Sequence, residues 1–446
     1  MTQSAPAVAR KSVAARVASS QIVLWAAFIL VHLGLGLLNL YGDNQPLGDV
    51  TNVYKFWMDS AINGGVWVGI DTVWVYPILA LVPMIVSVMF GPENIGSTWL
   101  TMVMVLNAVA LGFLTGWGRP RSSLAPAWWW VTFLALLGPI AMGRIDSITV
   151  PVALVGVLLL ASRPALAAVL LTVATWIKVW PAALIAAALI ALRDRVKVFA
   201  AAAIGSVAII AGALLMGAGP HVLSFITQQT GRGLQVESPI STIWMWMAAA
   251  GFAYVDYDQQ ILTYQVYGPG AELAAALTTP LLAIAVLGIA VLGIIATRRG
   301  VSTPELFPPL ALALTVALIA FNKVGSPQFV GWLAVPILAG LVTSFAGHGT
   351  RFRTPATIAL VIAALTQVIY PFLYNYLLWV NPLMLIVLTA RNALYFVLLV
   401  WAISAILHSM RNVDAAANDG GEWLPGVWPF TPESTPSPVP SSKEKS

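Results

Sequence analysis

The feature that most limits what this chain can become is the length of its almost uncharged apolar runs. Gln21 to Tyr41 and Ala271 to Thr297 each supply about the 20 apolar residues that a helix, rising ~1.5 Å per residue, needs to cross a ~30 Å hydrocarbon core. Residues of apolar type make up 59% of the chain and charged residues 9%, against roughly 25% in a soluble domain. Mean hydropathy is +0.87. Water is therefore the wrong solvent for most of this surface, and the fold class is an all-α polytopic membrane protein. The absence of cysteine excludes disulfides, thiolate metal sites and a cysteine nucleophile. A net charge of +5 invites a nucleic-acid partner, but the placement of the cations along the chain argues for topology instead.

Arg10, Lys11 and Arg16 precede the first apolar run, as the basic segment of a cleaved leader would. That run is long, and Tyr41-Gly42-Asp43-Asn44 follows it without a small-x-small site, so it reads as an uncleaved first transmembrane helix. Three regions are expected: a cytoplasmic segment 1–20, a transmembrane domain 21–410, and a disordered cytoplasmic tail 411–446 rich in Pro, Ser, Glu and Lys.

Cytoplasmic loops concentrate Lys and Arg, which gives a thread to follow. Placing Arg119, Arg121, Arg163, Arg193, Arg195, Lys197, Arg298, Arg299, Arg351, Arg353, Arg411, Lys443 and Lys445 inside with the N-terminal cations leaves Lys55, Arg144, Lys178, Arg232, Lys323 and Arg391 outside. The crossings implied lie near 21–41, 97–117, 126–142, 147–162, 165–178, 179–192, 198–217, 271–296, 305–322, 328–346, 355–374 and 391–409. About twelve crossings put both termini in the cytoplasm, with the plasma membrane as the expected location. Val75 to Phe90 would break the alternation and reads as an interfacial helix on the outer face. The segments 165–178 and 179–192 are too short for a full bilayer, which predicts a recessed outer surface. Long loops, 42–74, 218–239 and 251–270, also fall outside, where loops that carry function are expected.

Of the outer cations, Arg144, Lys178, Arg232 and Lys323 sit at or near the ends of apolar segments, where ionisable groups are costly and usually functional. Four such groups at one depth would suit a phosphate at headgroup level. The plainer alternative is snorkelling or local pairing, Arg144 with Asp146 and Arg232 with Glu237. Asp43 and Asp49 follow the first helix, where a carboxylate can deprotonate a hydroxyl or, equally, cap a helix starting near Val50. The four histidines show no ligand spacing, and neither a Gly-rich phosphate loop nor a Ser-His-Asp order is present. Most of the 18 tryptophans suit interfacial belts, although Trp128, Trp129, Trp130, Trp244 and Trp246 could line a sugar cavity.

Four short motifs in order over roughly residues 20 to 410 give the chain a resemblance to the GT-C superfamily of membrane glycosyltransferases, and within it to family 87. They are Asp49 with Tyr54, Tyr76-Pro77, Lys178 with Pro181, and the Arg232 to Ser238 loop. The resemblance implies a GT-C-like fold with about twelve transmembrane helices and an outer interfacial helix. It implies inverting transfer of a sugar, most often mannose, from a polyprenyl-phosphate-linked donor to a hydroxyl of a lipid-linked glycan acceptor at the bilayer's outer leaflet. Asp49 would be the catalytic base. Asp43, Tyr54, Tyr76, Arg144, Asp146, Lys178, Arg232, Gln235, Glu237, Lys323 and Gln328 would bind substrate; no cofactor is expected and no metal site is assigned, although Asp43 and Asp49 together could hold a divalent ion. Arabinofuranosyl or glucosyl donors would use the same phosphate clamp. A lipid flippase or secondary transporter is the competing class, and it would be expected to show two matching halves.

Overall fold

The computed structural model describes residues 19–117, 123–228, 231–259 and 261–418, with side chains through Val413. The cations at 10, 11, 16, 119, 121, 443 and 445, most of the segment 1–20 and most of the tail lie outside the described residues.

The chain is predominantly helical. Helix α1 (Gln21–Tyr41) stops at Gly42 and opens into a long connection. That connection holds a π-helical turn (Asp49–Tyr54), α2 (Lys55–Gly64) and, after a 3-10 turn at Ile78–Ala80, α3 (Leu81–Ser87). Helices α4 (Ile95–Thr115), α5 (Ala125–Leu137), α6 (Asp146–Leu159), α7 (Pro164–Ile177), α8 (Ala182–Ala191) and α9 (Arg195–Leu215) then run back and forth along one bundle. A second long connection carries α10 (Thr242–Ala249) and an antiparallel hairpin, β1 (Tyr254–Asp258) and β2 (Thr263–Tyr267). The bundle is completed by α11 (Ala271–Arg298), α12 (Thr303–Ala320), α13 (Ala334–Phe345) behind a 3-10 lead at Pro327–Leu333, α14 (Arg353–Ile369) and α15 (Pro382–Asn418).

Seven of the described helical segments are long and apolar enough to cross a membrane: α1, α4 with its 3-10 lead, α9, α11, α12, α13 with its lead, and α15. Their burial separates centre from rim. The most apolar stretch of α12 is 83% buried, whereas those of α9 and α11 are 11% and 17% buried. Leu215 and Ile284, at 90% and 67% exposure, show what the rim offers its surroundings. Apolar surface left bare on this scale is that of a membrane protein, since in water it would drive aggregation.

The chain alternates between two ends of the bundle. One end receives the long connections, and the other receives Arg163, Arg193, Arg195, Arg298, Arg299, Arg351 and Arg353 in short turns. The break between α7 and α8 follows from Pro181, which has no N–H to continue the ladder. Lys178 is extended there (φ −150°, ψ 132°). With 14 and 10 residues, these two helices are roughly 21 and 15 Å long. Lys178 is thereby fixed at the junction, inside the bundle's end instead of on a loop above it.

Three expectations need correction. The fold is not purely α, because Tyr254↔Tyr267 and Tyr257↔Tyr264 face each other across the hairpin and their rings meet at 5.3 and 4.9 Å. Aromatic cross-strand pairs favour a strand where apolar periodicity is too short to announce one. The last helix starts at Pro382 and not at 391, because Arg391 finds a buried acidic partner and no longer has to end an apolar span. It also runs to Asn418, past the expected boundary at 410.

Candidate active site

Asp49, Tyr54, Tyr76, Arg144, Asp146, Lys178, Arg232 and Lys323 converge at the end of the bundle that carries the long connections. Asp49 opens the π-helical turn, and its carboxylate does not cap that turn. It turns instead to Arg144, whose Nε lies 3.0 Å from Asp49 Oδ2. Asp49 is 37% exposed at its side chain, and its other oxygen has no hydrogen-bond partner among the described residues. Arg144 is buried and heavily engaged. Its Nη1 donates to the carbonyls of Pro46 (2.7 Å) and Gly143 (2.8 Å), and its Nη2 donates to the Tyr370 hydroxyl at 2.5 Å. Burial pulls this guanidinium's pKa down, but the Asp49 carboxylate, together with Tyr370 and Tyr54, outweighs that and keeps it charged.

The expected local pairs do not form. Arg144 pairs with Asp49 and not with Asp146, and Glu237 pairs with Arg391 and not with Arg232. Asp146 is buried and accepts a 2.7 Å hydrogen bond at Oδ1 from the Trp332 indole N–H. Its Oδ2 has no hydrogen-bond partner and lies 3.9 Å from Lys178 Nζ. Lys178 Nζ also stands 4.6 Å from the centre of the Tyr76 ring. A desolvated ammonium over an aromatic face is held without being neutralised. Tyr76 belongs to a nest of edge-to-face rings with Tyr54, Trp57 and Trp74, and the Tyr54 hydroxyl accepts from the Ile145 N–H at 3.1 Å. Burial raises the pKa of Tyr54 and of Tyr76, so both hydroxyls stay protonated.

Arg232 and Lys323 arrive on two loops that touch. The Gln235 N–H donates to the Lys323 carbonyl at 3.0 Å. Close approach depends on Gly325, where an added Cβ would sit 2.0 Å from the Ser238 nitrogen. The same loop lies along the hairpin, with Val266 N–H donating to Leu234 O at 2.9 Å. Burial lowers the pKa of Arg232. Burial and then the Arg232 charge lower that of Lys323, which places the two cations within each other's field. The Nε of Arg232 has no hydrogen-bond partner.

The remaining expected residues stand apart from this set. Glu237 is buried with its Oε2 2.6 Å from Arg391 Nη1, so it anchors the loop. Gln235 is buried beneath the same loop. Gln328 accepts from the Ser326 hydroxyl at 2.5 Å and lines a small void beside Asp146. Asp43 is exposed and takes no ion pair among the described residues. A cavity of about 760 Å³ lies at the opposite end of the bundle among Leu160, Arg193, Arg195, Thr297 and Thr303, and none of the candidates lines it.

Sequence reasoning missed Tyr370, Trp332 and Arg391. Arg391 was the most legible, since an arginine inside an apolar run implies a buried partner. Nothing local marks Tyr370 or Trp332.

Comparison with known families gives one match. The glycosyltransferase family 87 profile matches residues 74–258, which is less than half of the chain and includes Tyr76, Arg144, Asp146, Lys178, Arg232, Gln235 and Glu237. No curated protein and no solved structure matches. Over that stretch the chain is similar to glycosyltransferase family 87, and the match indicates glycosyltransferase activity. Asp49, Tyr54, Lys323 and Gln328 fall outside the matched stretch, so their part in the site rests on geometry.

Proposed function

We propose that this enzyme transfers a sugar, with inversion, from a polyprenyl-phosphate donor to a hydroxyl of a lipid-linked glycan, on the side of the plasma membrane away from the cytoplasm. The observation that carries the reading is Asp49. One carboxylate oxygen is fixed by Arg144 and the other is left open, beside a group of cations formed by Lys178, Arg232 and Lys323. The open oxygen takes the proton of the acceptor hydroxyl as that hydroxyl oxygen bonds to the anomeric carbon. The bond from that carbon to the phosphate oxygen breaks, and its electron pair leaves on the phosphate. Lys178, Arg232 and Lys323 stabilise the charge that grows there. No group outside this chain and its two substrates is required for the balance of the step, and neither a metal nor a cofactor is proposed.

The orientation is supported by the arginines at the far end of the bundle, which fit a cytoplasmic face. About twelve crossings follow if five of the six shorter apolar helices, α5 to α8 and α14 but not Ile78–Ser87, cross with the seven longer ones in a locally thinned bilayer. A donor carried by a lipid also suits a compartment without nucleotide sugars. Mannose is the proposed sugar because the motif order resembles that of an actinobacterial mannosyltransferase that elongates phosphatidylinositol mannosides. This chain departs from it in having Tyr76-Pro77-Ile78 and Gly143-Arg144-Ile145-Asp146.

The test is transfer of radiolabelled mannose from polyprenyl-phosphate-mannose to extracted membrane lipid by purified protein, with Asp49→Asn alongside. A labelled glycolipid made by the wild type and not by the variant supports the reading. Normal turnover by folded Asp49→Asn removes Asp49 from its role. Absence of product with any polyprenyl-phosphate sugar, together with movement of labelled lipid across the bilayer, would favour a flippase.

A further inference from the structure

A second concavity lies beside the site and reaches Arg144 through Tyr370. It measures about 370 Å³ and is lined by Asn44, Gln45, Tyr264, Tyr370, Tyr374 and Asn375, with Leu378 at its edge. Volumes of ~300–1,000 Å³ are usual for sites that take small molecules. We infer that this cavity binds a neutral oligosaccharide, namely the sugars of the acceptor that precede the reacting hydroxyl. The inference rests on the glycosyl-transfer reading of Asp49.

The chemistry of the lining is selective. It contains no charged side chain, which sets it apart from the Lys178, Arg232 and Lys323 group and makes it a poor place for phosphate. Three carboxamides and three phenols each donate and accept hydrogen bonds, as sugar hydroxyls do. Phenol rings also offer flat apolar faces to the C–H faces of a pyranose. Tyr374 is the central ring, with Tyr370 at 5.3 Å and Tyr264 at 6.3 Å, both edge-on, so three differently tilted rings wall one space.

The walls are held before any ligand arrives. Asn44 Nδ2 donates to the Pro371 carbonyl at 2.9 Å, tying the end of α1 to the segment after α14. Gln45 Oε1 accepts from Asn52 at 3.2 Å. Asn44 and Gln45 are consecutive residues in the left-handed region, φ 59° and 48°. A non-glycine residue holds such a conformation only where its surroundings fix it, and here both amide side chains line the cavity. Asn44, Gln45 and Asn375 are all exposed, so their amides are accessible.

The cavity is also wired to the chemistry. The Tyr370 hydroxyl accepts from Arg144 Nη2, and Arg144 Nε holds Asp49, so a single guanidinium separates the saccharide from the base. A chain of sugars seated against Tyr370 would present its terminal hydroxyl to the open oxygen of Asp49, with the donor phosphate on the far side among the cations.

The test separates this inference from the transfer reading by measuring binding without turnover. Manno-trisaccharide and gluco-trisaccharide, which carry no lipid or phosphate, are added to the full-length protein in detergent and followed by saturation-transfer NMR. Binding of at least one is expected. Affinity should fall about tenfold in Tyr374→Ala, the scale of one stacked ring, less in Tyr374→Phe, and measurably in the exposed-residue variant Asn375→Ala. Lys178→Ala should leave it unchanged. In the transfer assay the same tyrosine variants should raise acceptor KM and leave donor KM alone. Trisaccharide binding that depends on these residues in a protein without transferase activity would sustain the subsite and sink the transfer reading. Failure of folded wild type to bind either sugar overturns the inference, as does binding indifferent to Tyr374→Ala and Asn375→Ala.

Discussion

Arg144 and Asp49 meet through a single short contact, Nε to Oδ2 at 3.0 Å, while the rest of the guanidinium is spent on two carbonyls and a tyrosine hydroxyl. An ammonium has no planar fork with which to satisfy Pro46, Gly143, Tyr370 and Asp49 together. Arg144→Lys should therefore keep the charge and lose the aim of the carboxylate. A fall in kcat of about 100-fold, the low end of what a positioned base contributes, is expected with donor KM little changed. Steady-state kinetics on folded protein reads this, and an unchanged kcat would mean that Asp49 needs no orienting partner.

The Glu237 and Arg391 pair is the most enclosed in the described structure, with both side chains at 2% exposure or less. Burial pushes the Glu237 carboxyl up, and Arg391 opposes that rise without cancelling it. Glu237→Gln leaves a guanidinium buried beside Asn392 and a backbone carbonyl. A loss of about 3–5 kcal/mol is expected, visible as a lower Tm in detergent. The double variant Glu237→Met with Arg391→Met should recover much of it, which would assign the pair to holding the 231–241 loop.

Gly325 faces the Ser238 backbone at a distance no side chain can share. Gly325→Ala should push the Lys323 loop away from the Arg232 loop at about 1–3 kcal/mol of strain. Donor KM should rise more than acceptor KM, because the two cations separate. Equal effects on both substrates would contradict a phosphate clamp at this junction.

Lys323 supplies a pH signature. Its folded pKa is lowered, first by burial and then by Arg232, so between that value and the ordinary lysine value of ~10.4 the unfolded chain binds more protons. Fold stability should rise with pH across this alkaline window, while donor affinity falls as the ammonium is lost. Lys323→Arg should flatten both trends. Donor KM and Tm measured over the same pH range provide the check, and parallel trends would remove Lys323 from the donor site.

Much of the architecture was readable because it is local. Apolar run length, Pro181 and the positions of Arg163, Arg193 and Arg298 place helices and turns without reference to anything distant. The candidate cluster was readable in part, since Asp49, Arg144, Lys178, Arg232 and Lys323 stand out as charges where charges are costly. Their pairing was not readable. Proximity in sequence suggested Arg144 with Asp146 and Arg232 with Glu237, whereas the bundle gives Arg144 to Asp49 and Glu237 to Arg391, 154 residues away. The hairpin escaped notice because strands of five residues carry too little alternation to rise above aromatic belt signals.

The sequence by itself determined that this is a helical membrane protein, which end of each helix is basic, and which charges are too expensive to be idle. Those properties depend on the transfer of short segments between water and lipid, and a segment carries that preference alone. Only the tertiary structure decided which carboxylate each cation holds, that Asp49 keeps one oxygen open, and that Tyr370 joins an uncharged cavity to the base. Such choices depend on contacts between helices far apart in the chain, where a buried charge takes the partner that packing brings nearest.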